Sequence, residues 1–164
     1  MRCNQPRVGV FVVRGQQGVE LLVIFATALA IFIIFYALFA QQYSESAKKR
    51  AQVEAVNLAD RFAEEINIAA RAGDGYERRI TYPRTIAGAE EYSLEINNAS
   101  GSVDVAVVLG PGNIFYYSSP TLTRNITGES MYASPRGFYV EITRGYAFIE
   151  NRNGEIVVRQ LRVS

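Results

Sequence analysis

From Leu21 to Ala40 the chain reads LLVIFATALAIFIIFYALFA, a run without a single charged residue. As a helix of about 20 residues it would measure roughly 30 Å, the thickness of a bilayer's hydrocarbon core. A core helix of a small soluble protein keeps one polar face, and this run has none. The run therefore predicts a membrane-spanning helix. A secretory signal is the other candidate, but its apolar region is typically about 7–15 residues and ends in a small-residue cleavage site. Gln41-Gln42-Tyr43-Ser44, which follows here, offers no Ala-x-Ala pattern.

The rest of the composition narrows the chemistry. The chain has 164 residues, 49% of them apolar and 20% charged, which excludes disorder as its dominant state. Its net charge of +1 argues against a dedicated nucleic-acid binder. There is no His, and the one Cys is Cys3. A His/Cys zinc site, a Ser-His or Cys-His dyad and an intrachain disulfide are all excluded on that count. No cofactor is expected, and an extracellular enzyme is disfavoured for the same reason. Cys3 stands too far ahead of the apolar run to be a lipobox cysteine.

Immediately before the run stands Arg14-Gly15-Gln16-Gln17-Gly18-Val19-Glu20, preceded by Arg2 and Arg7. This junction resembles the class III signal peptide of archaeal type IV pilin-like proteins, in which a prepilin peptidase cuts between a glycine and a following glutamine. The resemblance implies a 1–15 leader, a scissile bond between Gly15 and Gln16, and Glu20 as the fifth mature residue. Gly18 departs from the serine that many members carry, although archaellins also have glycine there. The likeness is firm over about 30 residues and general beyond them. It also implies the partners: the membrane before assembly, the prepilin peptidase, an assembly ATPase with its platform protein, and copies of the chain itself.

Physical chemistry gives Glu20 two readings. A carboxylate inside an apolar helix costs about 2.5–3.5 kcal/mol at the bilayer centre and less near the interface. It can complement the helix macrodipole from the first turn, an effect of about 0.3–1 kcal/mol. Alternatively, cleavage frees an ammonium on Gln16, with a reference pKa near 8, about one turn away. Pairing with the ammonium of a neighbouring subunit would set the axial register of a filament. Orientation is not decided by charge, because Lys48, Lys49 and Arg50 follow the span as Arg2, Arg7 and Arg14 precede it. An outward head is implied by the resemblance alone.

Helix should continue past the span. No Gly or Pro occurs from Gln41 to Ala72, and Gly73-Asp74-Gly75 is the first breaker. Ala51, Ala55, Leu58, Ala59, Phe62, Ile66 and Ala69 recur at helical spacing and form a stripe. Leu21–Ala72 would extend about 78 Å if unbroken. Segment 16–40 is read as a transmembrane or filament-core helix and 41–72 as an amphipathic continuation onto a head. A dimeric coiled coil lacks the sustained Leu it needs.

Residues 73–164 change character. Strands are expected at Arg79–Tyr82, Tyr92–Asn97, Val103–Leu109, Ile114–Ser118, Gly137–Thr143, Tyr146–Glu150 and Ile156–Val163, with turns at Asn98–Gly101, Gly110–Asn113, Arg144-Gly145 and Asn151–Gly154. The last three strands should form a meander. Arg159 shares parity with Val157, so the last strand's faces stay open. The fold class is α+β: a long helix on a small antiparallel sheet or sandwich.

Asn98-Ala99-Ser100 and Asn125-Ile126-Thr127 are N-glycosylation sequons in expected turn or loop segments. Glu64-Glu65 and Glu90-Glu91 read as solvated surface rather than acid–base pairs, since neighbours diverge on either element. Tyr116-Tyr117, Tyr132, Tyr139 and Tyr146 read as strand packing, with an adhesive aromatic surface as the alternative. The expectation is a structural subunit of an extracellular type IV pilus-like filament, with no metal and no nucleic-acid partner. Two alternatives stand beside it: a permanently anchored single-span ectodomain for ligand or partner binding, and an archaellin-like motility subunit.

Overall fold

A computed structural model describes residues 11–160, with side chains from residue 18 onward. The chain is α+β. Among the described residues one α-helix, α1 (Phe11–Ala72), is followed by nine strands in two sheets. It stops where the sequence loses its helix formers: Gly73 takes a left-handed φ of 84° and its N–H bonds the Ala69 carbonyl. Contacts divide the chain into one compact unit ending at Ser44 and another beginning at Glu45.

In the second unit every residue of the expected stripe, Ala51 to Ala69, is buried. The alanines let backbone approach closely, while Leu58, Phe62 and Ile66 supply volume. Phe62 meets the Tyr82 ring with centroids 5.5 Å apart. The five-stranded sheet runs in the order β4 (Asn113–Pro120), β3 (Ser102–Gly110), β2 (Glu91–Asn97), β7 (Gly137–Val140), β6 (Tyr132–Ser134). The four-stranded sheet runs β1 (Glu77–Thr81), β8 (Tyr146–Arg152), β9 (Glu155–Arg159), β5 (Ile126–Glu129). Alternation puts Tyr92, Leu94 and Ile96 of β2 with Val103, Val105 and Val107 of β3 on one face, and Ile149, Ile156 and Val158 join them and the helix stripe in one core.

Three expectations are corrected. The last three strands do not form a meander: β7 pairs with β2 and β6 in the larger sheet, while β8 and β9 pair in the smaller one. The strand expected through Thr143 ends at Val140, because Ile142–Arg144 form a 3-10 turn. Glu141 holds that turn by accepting from Thr143 Oγ1 at 2.8 Å and Arg144 Nε at 2.6 Å. The head is also not wholly antiparallel, since β5 pairs with β9 in parallel. β5 and β6 lie in a stretch expected to be loop. Only Ile126 of β5 is buried, so the local pattern carries no alternation to read.

Arg159 lies on the outer face of β9, its guanidinium 5.0 Å from the centre of the Phe148 ring. The expected end of that strand, at Leu161–Val163, lies outside the described residues.

Buried polar groups tie the two sheets. Gln160, which is fully buried, donates from Nε2 to the Tyr82 hydroxyl and to the Glu141 carbonyl at 3.0 Å, and its Oε1 accepts from Glu141 N at 3.0 Å. The Tyr82 hydroxyl donates to the Glu141 and Tyr146 carbonyls, each at 3.0 Å. Asn151 donates to the Ala69 carbonyl at 2.8 Å, a second donor beside the Gly73 N–H that ties the last turn of the helix to β8.

Candidate functional site

In the first unit the helix is bare. Every large apolar side chain from Val19 to Tyr43 is at least half exposed, from 50% for Ile31 to 78% for Tyr43. The exposed residues occupy consecutive positions, so all sides of the cylinder are apolar rather than one stripe. Phe32, Phe35, Tyr36, Phe39 and Tyr43 border one groove along it. Thr27, the most polar side chain of the middle stretch, turns its hydroxyl back to the Val23 carbonyl at 2.8 Å, the i−4 bond a helical threonine can make. Among the described residues this is one helix long and apolar enough to cross a membrane.

Glu20 is exposed near the start of this apolar stretch. Because α1 begins at Phe11, Glu20 is not in its first turn, and the macrodipole reading fails for the uncut chain. That reading applies only to a chain whose helix starts near Gln16. Of the processing residues, Gly15 and Gln16 lie within α1, while the Gln16 side chain and residues 1–10 of the leader, Cys3 among them, lie outside the described residues. A Cβ on Gly18 would meet nothing within 4 Å, so glycine there answers no steric demand of this chain's fold.

The two sequons are neighbours in space. Asn98 Nδ2, the atom that a glycan would modify, donates to the Ile126 carbonyl at 2.6 Å, and its Oδ1 is buried without a partner. Asn125 is exposed, with Nδ2 3.3 Å from the Gly154 carbonyl. Of the two asparagines, Asn125 is the exposed one and Asn98 is half-buried.

The tyrosines divide among three surfaces. Tyr117 faces the helix and donates to Asp60 at 3.1 Å, and Tyr146 lies under Arg79 on the outer face of the smaller sheet, 4.4 Å from the guanidinium. Tyr116, Tyr132 and Tyr139 are exposed together on the outer face of the five-stranded sheet. Their registers place Tyr116 in line with Ala106 and Ser93, and Tyr132 and Tyr139 in line with Glu95 and Asp104. A trough of about 480 Å³ opens there.

Asp104 anchors the trough's floor. Its Oδ1 accepts from Ser118 at 2.6 Å and Ser102 at 2.8 Å, and its Oδ2 from Asn97 at 3.0 Å. Burial pushes its carboxyl up, but these three donors and the Arg136 charge outweigh burial and hold it below its ordinary range. Ser134 donates to the neighbouring Glu95.

Outside the trough, several acids of the head form ion pairs. Glu150 pairs with Arg152 at 2.9 Å, Glu129 with the same Arg152 at 2.7 Å, and Glu65 with Arg78 at 3.0 Å. Among the described residues no group of three or more acidic or sulfur side chains is placed to hold a metal ion. Comparison with protein-family models, with curated proteins and with solved structures returned no match.

Proposed function

We propose that the chain is a structural subunit of an extracellular type IV pilus-like filament, made as a single-span membrane precursor and trimmed between Gly15 and Gln16. The observation that carries this reading is the helix itself: apolar and bare on all sides through Phe39, then buried along an alanine-rich stripe from Ala51. Lipid covers the bare part before assembly, and sister helices replace lipid afterwards. Tail and helix surfaces are about equally apolar, so close packing rather than hydrophobicity drives that exchange. Glu20 supplies the register by pairing with the new ammonium of Gln16 on a neighbouring subunit. Cell-surface adhesion or cell–cell contact then falls to the head, and Asn125 rather than Asn98 carries any N-linked glycan.

The test is N-terminal sequencing of sheared surface filaments and of the membrane fraction, with peptide masses read from the same material. A filament protein beginning at Gln16 supports the proposal. Intact Met1 in a solitary membrane species overturns it in favour of a permanently anchored ectodomain, and a start beyond Ala40, which removes the span, overturns it in favour of a released head. Glu20→Ala is expected to insert and be cleaved normally yet to lower filament yield at least tenfold. Normal yield from that variant would refute registration by Glu20.

A further inference from the structure

The two outer sheet faces treat their aromatic rings in opposite ways. On the four-stranded sheet, Arg79 covers Tyr146 and Arg159 covers Phe148. On the five-stranded sheet Tyr116, 71% exposed, and Tyr139, 39% exposed, line a concavity, and Tyr132, 69% exposed, lies beside Tyr139 on the same face. Exposed ring surface is unfavourable at about 25 cal/mol per Å². Bare rings flanking a trough are the arrangement by which proteins take up a ligand having an apolar face. Tyr116 on β4 and Tyr139 on β7 stand three strand spacings apart, roughly 14 Å, which suits an elongated ligand.

Charge chooses among ligands. Glu95 and Asp104 together would favour a cation, but Arg136 lines the same trough. Asp104 is moreover already engaged by three internal donors. What remains for a ligand is a mixture: carboxylate oxygen on Glu95, guanidinium N–H groups on Arg136, and hydroxyls on Ser93 and the tyrosines, which both donate and accept. A ligand matching exposed rings and such a mixture presents one C–H face and an edge of hydroxyls. That is the chemistry of a pyranose.

We propose that the trough on the outer face of the five-stranded sheet is a binding site for a neutral oligosaccharide, with Tyr116 and Tyr139 stacking on sugar rings and Glu95 and Arg136 bonding their hydroxyls. The site lies wholly within the head and does not depend on polymerisation, so its test is independent of the filament test.

The full chain in phospholipid nanodiscs, free of sugar-headed detergent, is titrated with cellohexaose, chitohexaose, mannohexaose, a sulfated hexasaccharide and a pentalysine peptide. Saturation of at least one neutral hexasaccharide is expected, changing less than twofold between 50 and 500 mM salt, since no ion pair forms with an uncharged ligand. Tyr116→Ala and Tyr139→Ala should each weaken it at least tenfold, while Tyr146→Ala, on the opposite outer face, should change it less than twofold. Unchanged melting temperatures, reasonable for exposed side chains, separate lost binding from lost folding. Absence of binding to all three neutral sugars, a preference for pentalysine or the sulfated sugar, or equal loss in the Tyr146 variant would overturn the assignment.

Discussion

At the residue scale, Asp104 joins stability to pH. Its carboxylate gathers Ser102 and Asn97 at the β2–β3 turn and Ser118 on β4, and its titration is displaced downward because those donors and Arg136 outweigh burial. A group whose folded pKa is lowered stabilises fully above its unfolded value, about 3.9 for Asp, and loses that contribution as pH falls through the folded value. Thermal melting followed by near-ultraviolet circular dichroism should therefore show the head losing stability below about pH 4. Asp104→Asn should cost about 1–2 kcal/mol at pH 7 and should flatten this acid dependence. An Asn variant with the native acid slope would remove Asp104 from the account. The adjacent trough is legible only at this scale too: residues from four strands and a turn meet there, and nothing in their sequence spacing brings them together.

At the scale of elements, the alanine stripe sets how close α1 comes to the sheets. Ala55 and Ala59 are wholly buried. Leucine at Ala59 would add three carbons to a filled contact, where extra methylenes typically cost about 1–3 kcal/mol. Leucine at Val53, exposed on the same helix, should be nearly neutral, and comparing the midpoints of denaturation of the two variants checks the assignment of faces. The stripe could be read in advance because helical periodicity is local. The small strands β5 and β6 could not. β5 is held by parallel pairing with β9, a partner some thirty residues away, and β6 by an edge position beside β7. Sequence spacing likewise suggested a closing meander, but β7 pairs with β2, where Phe138 and Val140 join its buried row. Gly137 is required by that pairing: a Cβ there would stand 1.9 Å from the Ile96 carbonyl oxygen.

At the scale of the whole molecule, the bare apolar helix governs behaviour outside the cell's membranes. The uncut chain should remain with membranes through alkaline carbonate washing and stay monodisperse only in detergent or nanodiscs. Lysine placed at Ile33, near the middle of the run, should impair insertion, since a charge at the helix centre costs about 2.5–3.5 kcal/mol. The fraction released by carbonate measures this, and an unchanged fraction would argue against a spanning helix.

The amino-acid order alone determined a helix long and apolar enough to cross a membrane, its end at Gly73 and the buried stripe, because each depends on composition or on contacts a few residues apart. Folding in three dimensions decided how the strands divide between two sheets, the parallel β5–β9 pair, the hydrogen bond that ties the Asn98 amide nitrogen to Ile126 beside an exposed Asn125, and the gathering of tyrosines around one trough. Those outcomes depend on pairings between distant segments, whose partners compete on total burial and hydrogen bonding, and no local pattern encodes the winner.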